Sequence, residues 1–243
     1  MIEIKNLTKK YGELTAVNNL SMTIPKGKIF GFLGPNGAGK TTTIKIMTGL
    51  MKPTSGQILI AGYDIDKQNI QAKQCFGYVP DKGYLYEKLT AFEFLQFIVN
   101  VFNTDSNMNQ YHVIHEYLEL FSLLQWKDSL IESFSHGMRQ RLLFAAALIH
   151  QPLAIIIDEP LAGLDPLGMR LIRTVLTDFA AKGNTVFMST HSLSEAEKIC
   201  DLLGIIHKGN LVAMGTFQEI KQKALLPDSP LEEIFLQLTS GSL

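Results

Sequence analysis

Cysteine is nearly missing. Cys75 and Cys200 are the only two in 243 residues, and they stand far apart with no Cys-x-x-Cys pair. A disulfide framework is thereby excluded, and both thiols are expected in the core of a protein kept in a reducing, cytosolic setting. The Met1-Ile2-Glu3 start, which reads as carrying no secretory signal, agrees with that expectation. An excess of one charge sign is missing too: Lys and Arg total 22 against 23 Asp and Glu, a formal net charge of −1. No global positive field recruits nucleic acid or acidic lipid, so nucleic acid is not an expected partner. Long apolar runs are absent. The longest uninterrupted one, Leu142 to Ile149, falls well short of the roughly 18 residues a membrane span requires, and the chain is not expected to cross a bilayer by itself. There are no repeats, low-complexity tracts or flexible linkers, and His112, His115, His136, His150 and His207 show no metal-like spacing. The length suits one large α/β domain, or a domain with a sizeable insertion.

Against these absences stands one dense motif. Gly34-Pro35-Asn36-Gly37-Ala38-Gly39-Lys40-Thr41 fits the pattern of glycine, any four residues, then Gly-Lys-Ser/Thr that cradles nucleotide phosphates, and Thr42 extends the expected contact set. Its context fits: Lys28 to Leu33 reads as a short buried strand, and Thr41 to Thr48 as a helix stopped by Gly49. The glycines let backbone N–H groups turn inward around phosphates while the helix N-terminus adds a favourable dipole. Lys40 supplies a mobile cation and Thr41 a hydroxyl for Mg2+.

Along the chain, Ile2 to Leu7 and Leu14 to Ile24 have the spacing and turns of an antiparallel β layer, continued by Gln57 to Ile60. From Thr90 to about Gln125 the period becomes helical, with Thr90 and Glu93 as a capping box and a second helix around Tyr111 to Leu124. Leu153 to Ile157 is a fully apolar strand, Pro166 opens a helix closed by Gly183, and Thr185 to Ser189 is another strand. Alternating strands and helices imply a parallel sheet. Ile205 to Val212 reads as a hairpin, and two further capping boxes are expected, Ser192 with Glu195 and Thr216 with Glu219.

A second site motif lies where Ala154 to Ile157 run into Asp158-Glu159, placing two carboxylates at the C-terminal edge of a buried strand, where ligands bind in α/β sheets. Asp158 is expected to hold the Mg2+ hydration shell opposite Thr41. Glu159 is expected to polarise water for in-line attack on a γ-phosphate.

Taken in order, these motifs resemble those of the ATP-binding subunit of an ABC transporter, over Ile2 to about Thr216. Ser135-His136-Gly137-Met138-Arg139-Gln140-Arg141 is similar to the family signature, Ala162-Gly163-Leu164-Asp165-Pro166 to its D-loop, and Thr190-His191 to its switch histidine. The resemblance implies a P-loop NTPase core with a parallel sheet, an N-terminal antiparallel β layer and a helical insertion. The cassette would span about residues 1–220, with the insertion at about 84–140 and a short helical tail at 221–243.

It also implies ATP and Mg2+ as ligands, and a head-to-tail pair of cassettes in which Ser135 and Gly137 bind the γ-phosphate held by the partner. His191 would sense that phosphate, Asp165 would contact the partner, and Tyr11, with Val17 alongside, would meet adenine unless either is simply part of the β-layer core. Integral membrane subunits would be the other partners, placing the chain at the cytoplasmic face of the membrane. Tyr84, Tyr86, Phe92, Phe94 and Phe97 crowd the entrance of the insertion; some of them must be core, but a groove rimmed with aromatics would suit a helix of a membrane subunit. The signature and the Leu231-Glu232-Glu233-Ile234-Phe235 tail look most like export-type systems.

Departures from the family pattern are Asp81 where a glutamine usually touches Mg2+, Phe134, His136 and Met138 in the signature, and Leu161-Ala162 in the D-loop. Two rival readings remain: a soluble ABC ATPase acting on ribosomes or DNA, and a non-hydrolytic ATP-dependent regulatory module. The single motif set, and the lack of sustained heptads between phosphate loop and signature, weigh against the first. Glu159 weighs against the second.

Overall fold

The computed structural model describes residues 1–102, 110–159, 164–224 and 229–239. Strands β1 (Ile2–Tyr11) and β2 (Leu14–Ile24) pair antiparallel through the Tyr11–Leu14 turn, and β3 (Ile29–Leu33) runs into the phosphate loop and α1 (Lys40–Met47). Helix α1 ends as its sequence dictates. Gly49 adopts φ +68, its N–H reaches the Ile46 carbonyl and the Leu50 N–H reaches the Lys45 carbonyl, the doubly hydrogen-bonded glycine stop.

Then come β4 (Ser55–Ile60), β5 (Tyr63–Asp64), α2 (Asn69–Gln74) and β6 (Phe76–Val79). Of these only β4 is visible in the sequence pattern, because the other three are too short to show a period. The insertion supplies α3 (Ala91–Val101), α4 (Gln110–Leu120) and α5 (His136–Leu148). The capping box on α3 forms as expected, Thr90 accepting from the Glu93 N–H and Glu93 accepting from the Thr90 N–H. Helix α4 stops four residues short of the expected Leu124, since Ser122 takes φ +55 and its N–H turns back to Glu119 while that of Leu123 reaches Leu118. A non-glycine C-cap of this kind leaves no composition signal.

The remaining elements are β7 (Ala154–Asp158), α6 (Pro166–Ala181), β8 (Thr185–Thr190), α7 (Leu193–Ile199), β9 (Leu202–His207), β10 (Asn210–Gly215), α8 (Phe217–Lys223) and α9 (Leu231–Thr239). The Thr216–Glu219 capping box is present at α8. The Ser192–Glu195 box expected at α7 is absent: the Ser192 hydroxyl accepts no capping hydrogen bond, its N–H donates to the Thr190 hydroxyl, and the Glu195 carboxylate pairs with Arg173 of α6.

Two sheets result, a four-stranded antiparallel layer in the order β2-β1-β4-β5 and a six-stranded sheet in the order β10-β9-β3-β8-β7-β6. The second is parallel from β9 to β6, with β10 antiparallel at one edge. Every residue of β3, β7 and β8 is buried because this sheet is covered on both faces. On one side Phe30, Phe32 and Phe187 pack with Ile44 and Met47 of α1 against the antiparallel layer. On the other, Leu95, Ile114, Leu142 and Phe144 join the insertion helices to the sheet. A third cluster, including Leu33, Ala196, Ile205, Ile220 and Ile234, seats the C-terminal helices. Among the described residues, no helix is long and apolar enough to cross a membrane. Cys75 and Cys200 are free and half-buried; burial, and then Asp201, pushes the Cys200 thiol up to about 12, so it is inert.

Candidate active site

The C-terminal ends of β3, β6, β7 and β8 converge on one cleft of about 360 Å3. Pro35, Asn36, Gly37, Gly39, Lys40, Thr41 and Thr42 line one wall, and Asp81, Asp158, Glu159 and His191 the other. Eleven of the residues expected in the site are therefore brought together by the parallel sheet. Gly34 and Ala38 lie behind the lining and shape it. A Cβ on Gly34 would stand 2.5 Å from the Ile206 carbonyl oxygen, and Gly39, at φ +111, would place one 2.5 Å from the Ala16 carbonyl oxygen. The loop is clamped from outside as well: the Gly209 N–H donates to the Ala38 carbonyl and that of Asn18 to the Gly209 carbonyl.

Lys40 is buried at the base of the cleft, donating to the carbonyls of Gly34 at 2.6 Å and Pro35 at 3.3 Å. Burial lowers its pKa, and Glu159 and Asp158 pull the other way by favouring the ammonium. Asp158 is itself buried and accepts from the Ser189 hydroxyl at 2.5 Å. The same Ser189 accepts, at 3.3 Å through its hydroxyl and 3.2 Å through its carbonyl, from the Glu159 N–H. Glu159 needs this support. It sits at φ +55, a left-handed conformation costing about 1–2 kcal/mol for a residue with a Cβ. The turn bends the chain immediately after β7, and the Glu159 carboxylate meets His191 Nδ1 at 2.9 Å. Tyr78, on β6 beneath these acids, is pushed up to about 12 by burial, then by Asp158 and Asp81, and stays a neutral phenol.

Three expected residues lie elsewhere. Ser135 is the exposed N-cap of α5, accepting from the Met138 N–H at 3.3 Å; Gly137 follows in the first turn. Asp165 caps α6 by accepting from the Gly168 N–H at 3.0 Å. They form a second cluster outside the cleft, joined by Leu164: a Cβ on Gly137 would have only Leu164 Cδ2, 3.8 Å away, within reach. Arg139 and Arg141, the basic residues of the signature, point back into the insertion. Arg139 pairs with Glu87 and the Phe134 carbonyl, and Arg141 with the Phe121 and Ser122 carbonyls. The Leu161-Ala162 departure, with Gly163, lies outside the described residues.

Of the two residues expected at adenine, Val17 takes the alternative given for it, a place in the core. Val17 is fully buried and its side chain belongs to the core beneath the phosphate loop; Ala16, unnoticed in the sequence, lines the cleft instead. Tyr11 is half-exposed but not in the lining, its hydroxyl 2.9 Å from Met51 Sδ and its ring under Lys9 Nζ. Ser189 was also missed. A strand serine carries no sequence signal, and only the β7–β8 register, Asp158 opposite Ser189, gives it a role. The aromatics at the insertion divide: Tyr86 packs with Phe94 and Phe97, Phe92 turns towards Tyr111, and Tyr84 is 97% exposed.

The chain is similar to known proteins. Residues 17–162 match the family model described as ABC transporter. The "Probable multidrug ABC transporter ATP-binding protein YbhF" of Escherichia coli (strain K12) is 38% identical over 241 residues, 98% of this chain but 41% of that protein, so the chain spans about two fifths of that relative. The bacitracin transport ATP-binding protein BcrA of Enterococcus faecalis is 40% identical over 92% of this chain and 71% of its own. Among solved structures, an ATP-binding subunit of an ABC transporter superposes with a TM-score of 0.92 at 32% identity, covering 98% of this chain and 99% of that one. The dimeric bacterial ABC transporter cassette MJ0796 superposes with a TM-score of 0.81 at 26% identity, covering 89% and 98%.

Proposed function

The chain belongs to the ABC transporter family, as one of its ATP-binding ATPase cassettes, and from that premise we propose that it hydrolyses ATP between two cassettes to drive export through separate membrane subunits. The observation that carries this reading is the division of the site. One cleft gathers the phosphate loop, Asp158, Glu159 and His191, while Ser135, Gly137 and Asp165 form an exposed cluster outside it. A second cassette facing the first would bring its Ser135 helix N-terminus, with N–H groups and dipole, onto the open side of the cleft. A dimeric neighbour in the family supports the pairing of two cassettes.

Within the cleft, Lys40 exchanges its two carbonyl partners for phosphate oxygens when nucleotide enters. Glu159, held in its turn by Ser189 and met by His191, accepts the proton of the attacking water. The oxygen donors Thr41, Asp158 and Asp81 suit Mg2+, which keeps several waters and binds through one or two carboxylates and phosphates. Among the described residues no cluster of three or more His, Cys, Asp or Glu could hold a metal unaided, in keeping with an ion that arrives with the nucleotide. Mg2+ would neutralise charge developing on the phosphates. Asp81, exposed two residues beyond β6, lines the same cleft and would meet the ion directly or through water.

The direction of transport rests on relatives named for multidrug and bacitracin transport. The membrane subunits would dock in the groove of about 340 Å3 between α3 and α5, lined by Ile98, Phe102, Leu143 and His150, which would hold the chain at the cytoplasmic face of the membrane. The test is Glu159→Gln. Turnover should fall at least about a hundredfold while ATP binding persists and ATP-bound dimers accumulate. Turnover equal to that of wild type would refute the mechanism.

A further inference from the structure

Helix α7 begins two residues after His191 and has only seven residues, too few to hold an orientation by itself. Its own first turn does not fix it: the Ser192 hydroxyl caps nothing and lies 3.4 Å from the Ser194 hydroxyl. Glu195 stands at the position from which it could close a capping box. It reaches instead across to Arg173 Nη2 on α6, with Lys198 Nζ more loosely at 3.5 Å. Arg173 and Glu195 are largely covered, at 31% and 17% side-chain exposure, and the Arg173 Nε is buried with no other partner. The Ser192 N–H that a capping-box carboxylate would accept from is held by the Thr190 hydroxyl at 3.0 Å, which leaves the Glu195 carboxylate free to serve Arg173 for something other than a cap.

What the pair supplies is direction. Beyond the helix entry, where the Ser192 N–H meets the Thr190 hydroxyl, the side chains that seat α7 are apolar, Leu193 and Ala196 in the C-terminal cluster and Ile199 against the insertion-side core, and apolar burial sets how close a helix lies more than its rotation or slide. A charged hydrogen bond from a planar guanidinium sets both. The helix it ties α7 to is the one whose N-cap is Asp165. We infer that Arg173 and Glu195 are positioning residues: their pair locks α7 onto α6 and thereby holds His191 against Glu159 in the cleft, linking the hydrolytic residues to the helix that starts at the exposed Asp165. The inference rests on the hydrolytic roles proposed for His191 and Glu159.

The test uses the full chain and four variants, Glu195→Gln, the charge swap Arg173→Glu with Glu195→Arg, Lys198→Met, and Glu159→Gln, measuring kcat, KM for MgATP and Tm. Glu195→Gln is isosteric and keeps the packing. It should lower kcat roughly ten- to a hundredfold, as expected for a misplacement of about 1 Å, with KM within about twofold of wild type. The swap should recover most of kcat, and Lys198→Met should leave it unchanged. A Glu195→Gln variant that loses Tm but keeps kcat within about threefold of wild type would reduce the pair to a structural tie and overturn the inference. So would a swap as slow as the single variant. Glu159→Gln separates the two claims: if it still turns over ATP, the hydrolytic reading itself has failed, whatever Glu195 does.

Discussion

Gly137→Ala separates the role of the exposed signature cluster from its place in the fold. Gly137 is the second residue of α5, at a backbone conformation open to any residue, and a Cβ there would meet only Leu164 Cδ2 at 3.8 Å, an ordinary contact. Alanine is the better helix former and restricts the unfolded chain, so stability should rise by about 0.5–1 kcal/mol, or less this close to the helix end. For a domain of this size that is a gain of about 2 °C in Tm. The same methyl group projects where a partner's γ-phosphate would approach the helix N-terminus. Displacing an anion from N–H donors of this kind costs about a hundredfold or more in turnover. The assay pairs thermal unfolding of the isolated chain with steady-state ATP turnover, and adds ATP-dependent dimerisation in the Glu159→Gln background. A variant at least as stable as wild type but nearly inactive and monomeric supports the composite site. If it hydrolyses ATP at the wild-type rate, no phosphate meets this helix; if it unfolds, the free space at Gly137 has been misjudged.

Two further outcomes follow from the core. Gly77→Ala puts a Cβ 1.9 Å from the Ala147 carbonyl oxygen, so β6 and α5 must separate by more than 1 Å. The expected loss is about 3 kcal/mol, seen as a fall in Tm of about 10 °C, and an unchanged Tm would mean that these elements are not so closely packed. His150 is pushed by burial down to about 4 from its ordinary 6.5, the hydrogen bond to the Phe76 carbonyl only partly opposing. Between those values the unfolded chain binds a proton that the folded chain refuses, so stability is complete above pH 6.5 and drains away as pH falls towards 4, by on the order of 3 kcal/mol. His150→Phe, which keeps a ring stacked on Phe102, should shrink the difference between urea midpoints at pH 7 and pH 4.5; an equal difference would show that another group carries it.

Legibility in the sequence followed the range of the interaction. Caps and stops set by neighbours in the chain, such as Thr90 with Glu93, Thr216 with Glu219 and Gly49 after α1, could be read because their partners lie within five residues. The Ser192–Glu195 box failed for the complementary reason. Its local pattern is sound, but a residue 22 positions away, Arg173, binds Glu195 more strongly than a backbone N–H can. Which of the two readings given for Val17 holds was likewise not local: alternation marks two faces of β2, and only the phosphate loop packed on it turns Val17 to the core and Ala16 to the cleft.

The motifs alone therefore pointed to the ligand class and the candidate chemistry, since those depend on which groups are present and how the chain turns beside them, whereas the partner cassette came only from the family their order resembles. Tertiary structure decided what is near what. The β7–β8 register turned Ser189 into the partner of the Asp158 carboxylate and of the Glu159 N–H, and the parallel sheet carried Asp81 and His191 to Lys40. The fold also held Ser135, Gly137 and Asp165 outside that cleft. Such distances arise from packing between segments far apart in the chain, where spacing along the sequence carries no information.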